Sequence, residues 1–321
     1  MRIAMAQINS CVGDFEANTR KILKAITQAK EKGCDIIAFP ELAVCGYPPE
    51  DLLFKKSFVQ ENVRRVDEIR KKTGDILSVV GFVDRKGSHL FNSAAVIAGQ
   101  KILDVYRKIY LPNYGVFDEK RYFLSGEQFT LYEFRGACFG VNICEDTWIN
   151  DGVIAAQAKR GANLILTINA SPYHMGKIHQ RQKVLKEQAR KHNVFIVYTN
   201  SVGGQDELVF DGQSMLLSDK GKVLSLAAAF KEELHIVDIA VSTLPRKQKA
   251  RNAKVMPVAI PRQEKPALVK IHPPKLTLLE DVFNALTLGT HDYVCKNGFK
   301  KIVLGLSGGI DSSVVAVIAA T

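Results

Sequence analysis

The stretch Val141-Asn-Ile-Cys-Glu-Asp-Thr-Trp148 decides how this chain is read. An apolar run beginning near Ala137 ends in a cysteine, and two carboxylates follow at once. Such a run is a buried strand, and its polar end is where the strand leaves the core. Cys144 is then either a small buried spacer or a nucleophile exposed on a sharp turn, where a following helix N-terminus would lower its pKa. Spacing alone leaves both readings open.

Strand-like and helix-like segments alternate on both sides of this stretch. A strand is expected over 2–8 and a helix over 18–32, with Ile22, Leu23, Ile26 and Ala29 on one face and Gly33 closing it. An apolar strand over 34–40 and a second amphipathic helix over 58–72 follow. Further strands are expected over 76–84, 92–98, 102–108, 129–134, 137–144, 163–169 and 195–200, with helices near 151–160 and 177–192. Strands in hairpins over 208–217, 222–229 and 233–239 end the unit. Long apolar strands mixed with helices imply an α/β fold or a layered α-β-β-α sandwich.

No apolar run approaches the roughly 20 residues needed to cross a bilayer, so no membrane partner is expected. The start M-R-I-A-M-A-Q-I alternates like a strand and lacks a signal peptide's apolar region, which points to a cytosolic protein. Six scattered cysteines without a C-x-x-C pair argue against a disulfide framework and against a zinc site, so no metal is expected to be held. The formal net charge of +11 suggests nucleic acid at first sight. Between Pro245 and Lys275, however, nine Lys/Arg and one Glu supply +8, leaving +3 for the rest. That segment is proline-rich and has no aromatic residue for base stacking, so a solvated linker is expected over 243–275, and no nucleic-acid partner.

A nucleophilic cysteine needs a base, and none of the seven histidines has an evident pairing with Cys144. A carboxylate is the alternative. Glu41 follows Ile36-Ile-Ala-Phe-Pro40 at the exit of a buried strand, where low dielectric makes a carboxylate a usable base. Lys108 stands where another apolar strand runs into a loop dense in Tyr, Pro, Asn and Gly, and a lysine near a thiol can stabilise an oxyanion. Each has a plain surface reading when taken alone. Together and in this order, F-P-E, Y-R-K-I-Y-L-P and N-I-C-E-D resemble the Glu-Lys-Cys signature of the nitrilase superfamily of C–N hydrolases over about 1–240. The resemblance implies a four-layer α-β-β-α sandwich over 1–242, a homo-oligomer, and Glu41, Lys108 and Cys144 as base, oxyanion partner and nucleophile. Glu119 lies in the same loop, with no position assigned.

After the basic segment, Thr277-Leu-Leu-Glu280 is a capping box opening a helix that Gly298 should stop. Then Lys300-Lys-Ile-Val-Leu-Gly-Leu-Ser-Gly-Gly-Ile-Asp-Ser-Ser313 reads strand, glycine loop, helix. Glycines let the backbone approach an anion at a helix N-terminus, and no G-K-[ST] is present for a Walker A loop. The stretch resembles the PP-loop of ATP pyrophosphatases, which implies Gly305, Leu306, Ser307, Gly308, Gly309, Ile310, Asp311 and Ser312 as an ATP site, with Mg accompanying ATP. One strand between two helices cannot bury a core, so 276–321 reads as the start of a domain, with roughly 100–200 residues expected beyond it.

A nitrilase-like amidase followed by a PP-loop resembles the glutamine-dependent NAD synthetases. Leu111–Phe123 and Asn169–Lys177 are similar to that family's glutamine-pocket motifs, implying Tyr114, Ser171 and Lys177 as L-glutamine ligands and deamido-NAD and ATP as the other substrates. Two rivals stand beside this reading: a stand-alone amidase or carbamoylase with an incidental tail, and an ATP-binding or docking module whose amidase half is inactive.

Overall fold

The computed structural model describes all residues except 249–253, 262–263 and 269–272. In chain order its strands begin with β1 (Arg2–Gln7), β2 (Ile36–Ala38), β3 (Leu77–Lys86), β4 (His89–Ala98) and β5 (Lys101–Arg107). Next come β6 (Leu131–Phe134), β7 (Ala137–Ile143), β8 (Leu164–Asn169), β9 (Phe195–Asn200) and β10 (Val202–Gln205). The last are β11 (Leu208–Asp211), β12 (Met215–Leu217), β13 (Val223–Leu226), β14 (Glu233–Asp238) and β15 (Val255–Pro257). The helices are α1 (Phe15–Glu31), α2 (Lys56–Thr73), α3 (Val153–Lys159), α4 (Lys177–His192), α5 (Leu278–Lys296) and α6 (Ile310–Ala320).

Among the described residues, one sheet runs β14-β1-β2-β3-β4-β5 and the other β13-β12-β9-β8-β7-β6-β15, with β10 and β11 forming a separate ribbon. Strand alternation sorts the side chains into layers. Ile3, Met5, Leu77 and Val79 of the first sheet meet Phe139, Val141, Leu164 and Val197 of the second in a shared core. Ala4, Ala6, Ile37 and Val80 point the other way and pack on Ile22 and Ile26 of α1 and Val66 and Ile69 of α2. On the far side, Ile165 and Ile196 pack on Ile154 of α3 and Leu185 and Ala189 of α4. Each fully buried aliphatic side chain contributes about 1.5–3 kcal/mol. The result is a four-layer α-β-β-α sandwich, the arrangement that the resemblance implies and one of the two that the pattern allows. Among the described residues no helix is long and apolar enough to cross a membrane.

Three expectations are corrected and one is refined. Helix α1 begins at Phe15 rather than at residue 18, because Asp14 accepts from Ala17 N at 2.9 Å and caps the chain earlier. The 208–217 segment is two strands, with β11 pairing to β10 and β12 pairing to β9. The described part of 243–275 is mostly exposed, but it is also held to the sandwich. β15 pairs in parallel with β6, the Val258 N–H donates to Glu133 O at 2.9 Å, and Lys265 Nζ reaches the buried Asp35 at 2.6 Å. The open edge of β6 and the buried Asp35 carboxylate both need partners, and this segment supplies them. The rest of that expected linker lies outside the described residues. No strand forms ahead of the glycine loop: 301–306 has no ladder partner among the described residues, and Val303 is 98% exposed.

Helix α5 docks on β10. Its Asp292 accepts from Gly204 N at 2.7 Å and Asn9 Nδ2 at 2.6 Å, while Lys296 Nζ donates to Gly204 O at 2.7 Å and Ser10 O at 3.0 Å.

Candidate active site

Four strand ends converge at one rim of the sandwich. Glu41 follows β2, Lys108 follows β5, Cys144 follows β7, and Ala170-Ser171 follows β8. All of these polar residues are buried, Glu41 and Lys108 to 1% exposure. Lys108 Nζ donates to Glu41 Oε1 at 2.7 Å and to Glu119 Oε1 and Oε2 at 2.8 and 2.9 Å. Asn92 Nδ2 donates to Glu41 Oε1 at 2.7 Å, and the Ala170 N–H donates to Glu41 Oε2 at 3.0 Å. Tyr47 caps Glu119 at 3.0 Å. Glu119, unplaced by sequence, is therefore the second carboxylate on Lys108.

The charges set the protonation states. Burial alone would depress the Lys108 ammonium, but Glu119 and then Glu41 outweigh it and hold it well above the ordinary lysine value. Burial pushes Glu119 up to about 7, against the pull of Lys108. Cys144 departs from expectation. Burial first, and then the Glu41 carboxylate, raise its pKa well above the ordinary thiol value, and Lys108 only partly offsets them. The segment after it is a four-residue 3-10 turn (Cys144–Thr147) rather than a helix that could lower it. The resting form is thus a thiol beside a carboxylate, and ionisation requires a proton acceptor within the site. Cys144 also holds φ at +42°, a strained backbone for a residue with a Cβ, of the kind kept at nucleophile turns.

Asp146 explains why the cysteine and lysine motifs stay together. Its Oδ2 accepts from Tyr106 OH at 2.6 Å and Ile143 N at 3.0 Å, and its Oδ1 from Ile109 N at 3.1 Å and Tyr110 N at 2.9 Å. One buried carboxylate thereby ties the turn after β7 to the segment after Lys108. The sequence signal was the second acid of C-E-D.

The expected ligand residues flank this cluster. Tyr114 is 58% exposed and donates its hydroxyl to Glu145 Oε2 at 2.9 Å. Ser171 is buried, its N–H donating to Asn200 Oδ1 at 3.0 Å. Lys177 opens α4 with Nζ 4.4 Å from the centre of the Trp148 ring, and burial followed by the Arg181 charge lowers its pKa. Glu145 and Lys177 both lie close enough to the thiol to act on its charge.

The Gly305–Ser312 loop lies apart from this rim. Gly308 takes φ +86°, Ser307 and Ser312 Oγ atoms are 3.1 Å apart, and Ser313 Oγ donates to Gly309 O at 2.9 Å ahead of α6. Among the described residues no group of three His, Cys, Asp or Glu is placed to hold a metal ion.

The carbon-nitrogen hydrolase family profile matches residues 2–247. The chain belongs to the carbon-nitrogen hydrolase family. A second profile, NAD synthase, matches residues 282–321. The chain is 41% identical to the glutamine-dependent NAD(+) synthetase of Thermotoga maritima and 42% identical to that of Aquifex aeolicus, over 99% of its own length and 58% of theirs. It therefore spans less than two thirds of the curated relatives it matches. Among solved structures, glutamine-dependent NAD+ synthetase from Acinetobacter baumannii, in complex with ADP, superposes with a TM-score of 0.86 at 36% identity, covering 99% of this chain and 56% of that one. An amidase of the nitrilase superfamily from Nesterenkonia superposes with a TM-score of 0.68 at 26% identity, covering 74% of this chain and 90% of that one. In another structure of the Nesterenkonia amidase, acrylamide has added to the active-site cysteine.

Proposed function

We propose that this carbon-nitrogen hydrolase releases ammonia from L-glutamine, and that the protein uses it, with ATP, to amidate deamido-NAD to NAD. We assign the glutaminase to 1–242, a connecting segment to 243–275 and the start of the synthetase unit to 276–321, in a cytosolic homo-oligomer. The observation that carries the reading is the buried Glu41–Lys108–Glu119 cluster beside a protonated Cys144 in a chain similar along 99% of its length to glutamine-dependent NAD synthetases.

The chemistry follows from the charges. Glu41, free to accept a proton once substrate displaces water, takes the Sγ proton of Cys144. The thiolate attacks the side-chain carbonyl carbon of glutamine, forming a C–S bond. Lys108, held well above its ordinary pKa and so cationic throughout, stabilises the tetrahedral oxyanion. The C–N bond breaks as Glu41 returns the proton to departing ammonia, leaving a thioester. Water then gives a proton to Glu41 and attacks the thioester; glutamate leaves and Cys144 recovers its proton. Glu119 keeps Lys108 in place without touching substrate. Tyr114 with Glu145 suits the α-ammonium of glutamine, and Ser171 with Lys177 its α-carboxylate.

In the second unit, Gly305, Leu306, Ser307, Gly308, Gly309, Ile310, Asp311 and Ser312 form our assigned ATP loop, with backbone N–H groups at the start of α6 facing phosphate. A Mg ion accompanying ATP finds no ready set of protein ligands among the described residues.

The test is ammonia release from L-glutamine, from acetamide and from a carbamoylated amine, by the parent and by Cys144→Ala. Release from glutamine that disappears in Cys144→Ala is expected. Preferential turnover of another amide would favour the stand-alone amidase, and ATP binding with an unreactive Cys144 would favour the docking module.

A further inference from the structure

The largest fully buried side chain among the described residues is a charged one that the mechanism above does not use. Arg181 lies on α4 one turn after Lys177 and is 0% exposed. Its fork is bidentate on Asp211, also 0% exposed, with Nη2 at 2.9 Å from Oδ1 and Nη1 at 3.1 Å from Oδ2. The same Nη2 donates to both the carbonyl oxygen and the hydroxyl oxygen of Ser171, at 3.4 Å each. Gln213 Nε2 donates to Asp211 at 2.8 Å, and Asn200, which holds the Ser171 N–H, donates to Gly212 O at 2.9 Å. The guanidinium also lies 5.7 Å from the centre of the buried Tyr198 ring.

Burying an ion pair this completely is seldom a source of stability, because desolvation of both charges offsets their attraction. The arrangement calls for a second reason, and the hydrogen-bond inventory supplies one. A guanidinium only donates. Ser171 Oγ must therefore accept from Arg181, which leaves its own proton to point away from the guanidinium. Ser171 adjoins Ala170, whose N–H holds Glu41, and the Cys144 thiol lies close enough to act on the Arg181 charge. We propose that Arg181, oriented by Asp211, is a positioning residue that fixes the Ser171 hydroxyl as a hydrogen-bond donor, and so makes the site select amides that carry a carboxylate. The inference rests on the glutaminase reading and deepens it by naming what confers specificity. Arg181 touches no substrate, and Asp211 neutralises it, so its own part in selection works through the direction of one O–H, beside the charge that Lys177 supplies.

The variant Arg181→Met/Asp211→Asn removes both charges together, so no lone buried ion is left to unfold the protein. It is compared with the parent, with Ser171→Ala, and with the three changes combined. Three readings are taken on each: KM and kcat for L-glutamine, and the rate at which iodoacetamide, an uncharged amide, alkylates Cys144. The proposal expects KM to rise about tenfold, the order of one hydrogen bond to a charged group. It expects kcat and the alkylation rate to stay within about twofold, and no further rise in KM when Ser171→Ala is added. Arg181→Lys, which keeps the charge opposite Asp211 but not the fork, is to show the same split if the double variant does not fold. An unchanged KM, an effect additive with Ser171→Ala, or a parallel loss of kcat and alkylation rate would overturn it, the last marking a purely structural role. A parent that is alkylated by iodoacetamide yet releases no ammonia from glutamine would overturn the glutaminase reading itself, which is a different result from any of these.

Discussion

Replacing Lys108 with methionine leaves Glu41 and Glu119 buried without their shared ammonium. In the parent, two carboxylates and one ammonium carry one net negative charge, with N–O distances of 2.7–2.9 Å. The variant carries two, and Asn92, 2.7 Å from Glu41 and 3.4 Å from Glu119, keeps the carboxylates close together. Removing one partner of a buried ion pair costs about 3–5 kcal/mol. For a chain of this size that corresponds to a Tm lower by roughly 5–7 °C at pH 8. The pH dependence has a fixed sign. Burial already holds Glu119 up near 7 with Lys108 present, and without that cation its pKa must rise further. A carboxyl whose folded pKa lies above its unfolded value binds its proton more tightly when folded, so the penalty grows as pH rises through the folded pKa and fades toward the unfolded value near 4.3. The deficit of Lys108→Met should therefore shrink markedly at pH 5. Adding Glu119→Gln returns the cluster to one negative charge, and is expected to restore most of the stability at pH 8 but none of the glutaminase. Calorimetry at both pH values with an ammonia assay decides it. A deficit equal at pH 5 and pH 8, or activity rescued by the second change, would refute the electrostatic account of the cluster.

Three further outcomes are expected. Protonating Glu119 leaves Lys108 bound to Glu41 alone and weakens Glu41 as a base, so kcat/KM for glutamine should fall as pH drops through about 7, and Glu119→Gln should lose that limb of the profile. A Cβ on Gly81 would collide with the backbone of Pro40 and Leu42; Gly81→Ala should cost about 1–3 kcal/mol in urea unfolding and lower kcat at least tenfold by displacing Glu41. Asp292→Ala orphans the Gly204 N–H and Asn9 amide, so hydrogen exchange in α5 should quicken while the sandwich strands stay protected.

The fold was legible because short apolar strands alternating with amphipathic helices mark sheets covered on both faces, as Ile3 and Met5 in one layer and Ala4 and Ala6 in the next demonstrate. Glu41, Lys108 and Cys144 were legible because each is a polar residue at the end of an apolar run. Glu119 was not, since it sits in a loop with no period and meets Lys108 only through the fold. Arg181 and Asp211 were hidden by the ordinary expectation that such residues face water. The raised Cys144 pKa was missed because it depends on burial and the Glu41 charge, whereas the sequence suggested a helix start that is a single 3-10 turn. The strand expected ahead of the glycine loop failed because a strand needs a neighbour, a fact no local pattern contains.

The central claim is that Cys144 attacks glutamine with Glu41 as its base. The most direct measurement is the intact mass of Glu41→Gln after incubation with L-glutamine and rapid acid quench, beside Glu41→Gln/Cys144→Ala. The account predicts a glutamyl adduct that builds slowly, persists for want of a base to activate water, and maps to Cys144. An adduct on another residue, or glutamine hydrolysis continuing without any adduct at Cys144, would contradict it.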